Sequence, residues 1–223
     1  MKQYFLGIEF GSTRIKAVLL DEKHAIVKSG DYTWKSSLEN GVWTYHMEDV
    51  QEGLRTAIRN LGKLPGKISA MGVSGMMHGY LAFDKDWNLL APFRTWQNTM
   101  TGEAADKLTE AFGFNIPQRW STAHLYQAVL NGEPHVKNIA HVTTLAGYVH
   151  YLLTGENVLG VGEASGMFPI DSETLTYDAA MLDKFDALMA KYGFDWNIRA
   201  VLPEVRTAGQ SAGLLTPSGS EYL

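Results

Sequence analysis

A strand, a short glycine turn and a second strand open the chain, and this unit limits the fold more than any other feature. Tyr4 to Phe10 is an apolar run of strand length, Gly11-Ser12-Thr13 has the composition of a tight turn, and Ile15 to Leu20 is apolar again. Ala25 to Trp34 has the same character and follows the charged segment Asp21-Glu22-Lys23. We therefore predict three antiparallel strands joined by short turns.

The next segments extend this unit to an α/β fold. Met47 to Leu61 has apolar residues at helical spacing, with two acidic residues near its start, where they suit the helix dipole. Ile68 to Ser74 is a compact apolar run, which indicates a buried parallel strand. Tyr80 to Phe83 is predicted as one further strand. The first part of the chain should therefore have the element order βββαββ.

From about Asn98 the pattern changes to helices. The predicted helices are Gly102 to Phe112, Leu125 to Leu130, Thr144 to Leu153 and Ala179 to Tyr192. The last segment, Thr207 to Leu223, is rich in Gly, Ser and Thr. We predict a loop there with one short strand around Gly213-Leu214-Leu215.

Composition excludes several classes of protein. The chain has 223 residues, a net charge of −5 and no cysteine. The acidic balance argues against nucleic acid as a partner, and the lack of Cys excludes disulfides, thiolate metal sites and a Cys nucleophile. No run approaches the ~18 apolar residues that a membrane span needs. These features favour a cytoplasmic protein.

The first turn has the residues of an anion site. Gly11 lets the backbone approach a ligand closely, and successive N–H groups in such a turn can form an anion-binding concavity. Ser12 and Thr13 add hydroxyl groups, Arg14 or Lys16 can offset phosphate charge, and Glu9 can hold Mg²⁺ directly or through water. On spacing alone, an ordinary β-hairpin with a polar turn explains the segment as well.

This segment resembles the phosphate-binding hairpin of sugar kinases, which reads Gly-x-Asp-x-Gly-Thr/Ser. Here Glu9 stands where Asp is usual. The resemblance implies an α/β fold of the ribonuclease-H-like (actin/hexokinase) type, a mixed sheet flanked by helices, with a helical insert over roughly residues 98–160. It also implies that ATP and Mg²⁺ are cofactors. The implied phosphate-binding residues are Gly11, Ser12, Thr13 and Arg14, and the implied metal ligand is Glu9.

Two later segments resemble the sugar-binding segments of the same kinases. Ser74-Gly75-Met76-Met77-His78-Gly79 is similar to Ser-Gly-Gln-Met-His-Gly of xylulose kinases, which implies that Met77 and His78 touch the sugar. Trp96-Gln97-Asn98 is similar to the family segment Trp-x-Asp/Asn-x-Arg, with Met100 where the Arg is expected. Trp96 offers an apolar plate for a sugar, and Gln97 and Asn98 offer hydrogen-bonding groups for its hydroxyls. A turn histidine and a helix cap are the structural alternatives.

The resemblance runs in order along nearly the whole chain. Glu163-Ala164-Ser165 is similar to a further family segment, Asp/Asn-Ala-Ser, which implies a return to the main sheet after the helices. The chain is thereby identified as the N-terminal domain, residues 1–223, of an FGGY-family carbohydrate kinase. In such kinases the general base is an Asp of a second, ATP-binding domain. We therefore expect no catalytic base in this chain, since that position would follow Leu223.

Three functions remain open at this point. The resemblance favours ATP-dependent phosphorylation of a ketose such as xylulose by a longer enzyme, with a homodimer as one state open to the complete protein. A polyol kinase of the glycerol type has the same fold. A non-catalytic sugar-binding regulatory protein is the alternative of another class. The Trp96-Gln97-Asn98 segment argues against an ATPase of the actin or heat-shock kind, which needs no sugar pocket.

Overall fold

A four-stranded mixed sheet is followed by a largely helical part in the structure, a computed structural model that describes residues 2–223. The elements up to residue 83 are β1 (Tyr4–Phe10), β2 (Arg14–Leu20), β3 (Ile26–Thr33), β4 (Ser37–Glu39), β5 (Val42–Thr44), α1 (Met47–Arg59), β6 (Ile68–Gly75) and β7 (Leu81–Phe83). Those that follow are α2 (Gly102–Phe112), α3 (Ser121–Leu130), β8 (His141–Thr143), α4 (Leu145–Thr154), β9 (Val158–Gly160), α5 (Val161–Ala164), α6 (Ala179–Met189), α7 (Ile198–Val201), β10 (Glu204–Arg206) and α8 (Pro217–Ser220). Two short 3-10 helices are Pro134–Asn138 and Ala190–Tyr192.

The sheet has the strand order β3-β2-β1-β6. The first three strands pair antiparallel, as their short turns predict, and β6 runs parallel to β1. Glu9 is opposite Lys16 of β2 and in register with Ser74 of β6. The carboxyl ends of β1 and β6 therefore meet at one edge of the sheet, which is where binding segments collect in α/β folds.

Helix α1 covers only one face of this sheet. Its buried side chains Val50, Leu54 and Ala57 pack on the inward residues of β1 and β2. The helix comes so close to β3 that a β-carbon on Gly30 would collide with the Ala57 carbonyl, so only glycine fits there. The opposite face carries exposed and half-exposed residues and has no element packed on it within residues 2–223.

The prediction of a buried strand at Ile68 to Ser74 is therefore half wrong. The segment is a strand parallel to β1, but its residues alternate between half-buried and exposed. The reason is its place in the sheet, because β6 is an edge strand and one of its two faces belongs to the open face. A short apolar run indicates a strand and not how many of its faces are covered.

The helical part has a core of its own. It is built by α2, α3, α6 and the segment around Phe168, and its largest fully buried side chains include Phe168 and Phe185. Helix α3 begins at Ser121, four residues before the predicted Leu125, and the predicted helix Ala179 to Tyr192 ends in a 3-10 turn after Met189.

Two further expectations for the second half are wrong. Gly213 to Leu215 is not a strand, and this loop leads into α8, whose first turn is capped by the Thr216 hydroxyl. The segment at Glu163 does not return to the main sheet, because β9 pairs with β10 in a separate two-stranded sheet and Glu163 lies in the short helix α5. No helix within residues 2–223 combines the length and apolar character needed to cross a bilayer.

Candidate functional site

The first turn, Gly11-Ser12-Thr13, directs its carbonyl groups into the protein. The Gly11 carbonyl accepts a hydrogen bond from Trp34 Nε1 at 2.7 Å, and the Ser12 carbonyl accepts one from the Tyr45 hydroxyl at 2.8 Å. The Thr13 carbonyl accepts from the Trp34 N–H at 3.2 Å. A carbonyl and the following N–H point in opposite directions in a trans peptide, so the N–H groups of Ser12 and Thr13 point outward. This exposed turn can offer two N–H donors to an anion.

Charged side chains stand on the open face beside this turn. Glu9 Oε2 lies 2.9 Å from Lys16 Nζ, and a β-carbon on Gly11 would lie 3.7 Å from Glu9 Oε1. Arg14 is largely exposed, with its Nη1 3.9 Å from Asp31. Mg²⁺ commonly takes one or two carboxylates and completes its ligands with water and phosphate oxygens. One carboxylate beside a turn with outward N–H groups fits that set, and residues 2–223 contain no cluster of three His, Asp or Glu side chains that would form a fuller metal site.

The end of β6 brings the second predicted segment next to the first turn. The Met76 N–H donates to the Phe10 carbonyl at 2.9 Å, so Met77 and His78 leave the sheet one strand away from Gly11. His78 has φ 74°, which is uncommon for a residue with a β-carbon. Residues held in such conformations cluster at binding sites, where the surrounding contacts maintain them.

Burial and one hydrogen bond define the state of His78. Its ring is half-buried, and Nδ1 lies 3.2 Å from the Gly166 carbonyl oxygen. A carbonyl only accepts, so Nδ1 carries the proton and Nε2 keeps its lone pair. Burial lowers the pKa of His78, the bond to Gly166 acts in the opposite direction, and the charge of Arg119 lowers the pKa again. The ring is therefore neutral at pH 7, and Nε2 can accept a hydrogen bond from a hydroxyl.

The Trp96-Gln97-Asn98 segment divides into exposed and buried parts. Trp96 is 45% exposed and Gln97 is half-buried, so both can reach a ligand. Asn98 is 3% exposed, and its side-chain amide bonds to the backbone of Trp43. Its Oδ1 accepts from the Trp43 N–H at 2.8 Å, and its Nδ2 donates to the Trp43 carbonyl at 2.8 Å. Asn98 thus holds this segment against β5, and its amide is already occupied by protein groups.

The loop before α3 joins the two segments and carries no motif in the sequence. The Gln118 carbonyl accepts from the Thr101 hydroxyl at 2.5 Å. The Arg119 carbonyl accepts from the Gly79 N–H at 3.2 Å, and the Ser121 hydroxyl donates to the Gly79 carbonyl at 2.6 Å. Arg119 is exposed and close enough to influence the pKa of His78. Sequence reasoning missed this loop because its main contacts are made by backbone groups.

A groove of about 510 Å³ lies between β6 and the paired strands β9 and β10. Ser74 lines one wall and Glu163 the other. Burial raises the pKa of the Glu163 carboxyl, and the nearby Thr144 side chain offsets part of that effect. Glu163 Oε1 has no partner within residues 2–223. Glu163 therefore places a carboxyl group in the wall of this groove.

Both segments lie on a fold that solved sugar kinases share. Two neighbouring strand ends carry a turn with outward N–H groups and a neutral histidine, and the fold that carries them is that of sugar kinases. The gluconate kinase of Lactobacillus acidophilus aligns with a TM-score of 0.83 and 19% identity, over 100% of this chain and 45% of that one. The expected actin/hexokinase-type fold is thereby confirmed.

The family follows from the sequence as a whole. The model of the FGGY family of carbohydrate kinases, N-terminal domain, matches residues 4–223. The chain belongs to this family, as the resemblance of its motifs implied.

Relatives of known activity differ in the substrate they are named for. The glycerol kinase of Thermococcus gammatolerans is 25% identical, over 96% of this chain and 45% of its own length. The xylulose kinase of Lactococcus lactis is 23% identical, over 82% of this chain and 39% of its own length. The chain spans less than half the length of these curated relatives.

Proposed function

We propose that the protein transfers the γ-phosphate of ATP to a sugar hydroxyl, and that this chain supplies the sugar-binding side. The observation that carries the proposal is the hydrogen bond of 2.9 Å between the Met76 N–H and the Phe10 carbonyl. It keeps the first turn and His78 at neighbouring strand ends. Phosphoryl transfer depends mainly on such positioning and on neutralising charge, since the protein has little covalent chemistry to do.

On the phosphate side, the first turn would hold phosphate oxygens. Ser12 and Thr13 would donate their outward N–H groups, Gly11 permits close approach, and Arg14 would offset negative charge. Glu9 would help to hold Mg²⁺, which, when bound, supplies positive charge to the phosphates. The Glu9 carboxylate pairs with Lys16 at 2.9 Å on the same open face.

On the sugar side, four side chains would contact the substrate and one would support them. His78 Nε2 would accept a hydrogen bond from a hydroxyl, and Gln97 would donate or accept another. Met77 and Trp96 would cover the apolar C–H surface of the sugar. Asn98 would act through the backbone, by fixing the segment that carries Trp96 and Gln97.

A ketose such as xylulose is the substrate we propose. The Met77-His78 pair, which resembles that of xylulose kinases, and the relative from Lactococcus lactis support it. A polyol is the second candidate, supported by the relative from Thermococcus gammatolerans. We assign the general base to a second domain, because the relatives are more than twice as long as this chain, and we expect the complete enzyme in the cytoplasm.

The first experiment measures thermal unfolding with D-xylulose, glycerol or D-gluconate at millimolar concentration. A ligand at about 100 times its dissociation constant should stabilise the folded state by roughly 2.7 kcal/mol. The same compounds are then tested for sugar-dependent release of ADP by the full-length protein. Release with a ketose supports the proposal and release with glycerol alone supports the polyol alternative. Binding without any release supports a regulatory protein, and the absence of both refutes the sugar-kinase proposal.

Two variants separate the two sides of the site. Glu9→Gln should lower turnover while sugar affinity stays unchanged, and His78→Ala should weaken sugar binding. Glu110→Gln, an exposed acid on α2, is the matched control for loss of charge. Unchanged turnover of Glu9→Gln would remove this residue from the phosphate side, and parental sugar affinity of His78→Ala would remove His78 from the sugar side.

A further inference from the structure

We propose that a buried polar cluster behind the site, formed by Tyr80, Arg94, Glu133 and His135, sets the position of the two sugar-binding segments relative to each other. These four are positioning residues, because they act through the segments and not on the substrate. The inference rests on the proposed function only for the identity of the ligand. The positioning itself can be tested without any ligand.

Tyr80 and Arg94 connect the two segments. Tyr80 follows His78 by two residues, and Arg94 precedes Trp96 by two. The Tyr80 N–H donates to the Arg94 carbonyl at 2.8 Å, and the Arg94 N–H donates to the Tyr80 carbonyl at 3.1 Å. This pair is an isolated bridge and not part of a longer ladder. Two backbone hydrogen bonds fix the separation of the segments, but they resist twisting only weakly, so the side chains must supply the remaining rigidity.

The side chains close a ring around this bridge. The Arg94 guanidinium lies over the Tyr80 ring, 5.3 Å from its centroid, and forms an ion pair with Glu133. The Tyr80 hydroxyl is 2.8 Å from His135 Nε2, and His135 Nδ1 is 3.5 Å from the Glu133 carboxylate. A hydrogen bond therefore joins the Tyr80 hydroxyl to one ring nitrogen of His135, while the other ring nitrogen lies near the Glu133 carboxylate. Burial raises the pKa of the Glu133 carboxyl, but the hydrogen bond and charge of Arg94 outweigh this effect and hold the pKa below its usual value.

Stability does not account for this cluster. Tyr80 is fully buried, and the Arg94 and Glu133 side chains are 8% and 23% exposed, so the charged pair has lost most of its contact with water. Arg94 Nη1 has no partner within residues 2–223, and neither do the ring nitrogens of His124, which stacks beside Tyr80 at 6.3 Å. Apolar residues of similar volume are often as stabilising as a buried ion pair, or more so. What the ion pair adds over apolar packing is a defined geometry at the bridge.

The test replaces the ion pair by apolar side chains and follows amide hydrogen exchange. The double variant Arg94→Met with Glu133→Leu should unfold near the parental temperature, while the amides of residues 95–98 exchange at least about tenfold faster, equal to about 1.4 kcal/mol of local stability. Tyr80→Phe should accelerate exchange of the same amides, because it removes the hydroxyl that bonds to His135 and leaves the ring in place. Tyr177→Phe is the matched control, since it removes a buried hydroxyl that has no partner. If residues 95–98 exchange at the parental rate in both test variants, the proposal is overturned. If the double variant does not fold, the result for Tyr80→Phe decides alone.

A kinetic measurement on the full-length protein connects the cluster to the substrate. The test variants should raise KM for the sugar by about tenfold or more, since a misplacement of about 1 Å can cost ~100-fold, while KM for ATP stays constant. Faster exchange with unchanged sugar KM would overturn the link to the sugar. If the parent phosphorylates none of the compounds tested, the proposed function fails, and the exchange experiment still decides the positioning role.

Discussion

The Nδ1 atom of His78 lies 3.2 Å from the carbonyl oxygen of Gly166, so the turn after α5 sets the orientation of the histidine. The approach is close because residue 166 lacks a side chain. A β-carbon there would lie 2.7 Å from His78 Nδ1 and 3.0 Å from Met77 Cε. Both proposed sugar contacts of this segment therefore depend on one glycine that is 88 residues away in sequence from His78.

We predict that Gly166→Ala weakens sugar binding by about tenfold or more, because the added methyl group displaces both His78 and Met77. Calorimetric titration with the sugar that stabilises the parent measures the effect. Gly162→Ala is the control, since a β-carbon at that position meets nothing within 4 Å. Equal affinity of the two variants would contradict the prediction.

We predict that Arg119→Gln raises the pKa of His78. Burial is the main cause of the lowered pKa and remains in the variant, but the repulsion between Arg119 and the protonated ring is lost. Titration of the ring proton on Cε1 by NMR measures this shift. Arg59→Gln, on the last turn of α1, removes an equal charge elsewhere. A His78 pKa that is the same in both variants would show that Arg119 does not act on this ring.

We predict that His124 makes the protein sensitive to acid. Burial, with a smaller effect of Arg94, lowers the pKa of His124 from its ordinary value of 6.5 to about 3. Between these values the unfolded chain binds a proton that the folded chain does not. The contribution of His124 to the free energy of unfolding is therefore complete above pH 6.5. It is lost progressively as the pH falls toward 3, on the order of 5 kcal/mol in total.

Denaturant unfolding between pH 7 and pH 4 tests this prediction. His124→Leu should lose less stability than the parent over this interval, because Leu has no proton to bind. His24→Asn, at an exposed position where Asn tolerates the positive φ of 59°, should keep the parental dependence on pH. The same pH dependence in His124→Leu and the parent would refute the prediction.

We predict that Asn98→Ala destabilises the fold by about 3 kcal/mol, because it leaves the N–H and carbonyl of Trp43 without their partner. Chemical unfolding measures the change in free energy. Asn115→Ala, at an exposed position, should change it by less than about 0.5 kcal/mol. Similar values for the two variants would show that Asn98 does not hold its segment.

The main sheet and helix α1 could be predicted because their residues repeat with clear periods. The predicted helix Met47 to Leu61 is observed as Met47–Arg59, and the three antiparallel strands are correct within a few residues. The hairpin of β4 and β5 was missed, because strands of three residues are too short to show alternation. A signal was present in Asn40-Gly41, a pair typical of tight hairpin turns, and both residues have positive φ, 50° and 81°.

The site could be predicted from the sequence only where its residues are continuous along the chain. The first turn and the Met77-His78 segment each form one motif, so their residue types were informative. Arg119 and Gly166 reach the site through long-range contacts, which a single sequence does not reveal. Asn98 shows a different limit, because an amide that binds a sugar and an amide that binds a neighbouring strand look the same in sequence.

The inward carbonyls of the first turn have a consequence for the entropy of ligand binding. Because Trp34 and Tyr45 already bond to the carbonyls of Gly11, Ser12 and Thr13, the backbone there has lost its conformational freedom during folding. In the proposed role, an arriving phosphate group would meet donors that need no ordering, so none of its interaction energy would be lost to fixing the turn. The aromatic residues beneath the turn would then act as a preorganising support, although both of them are buried.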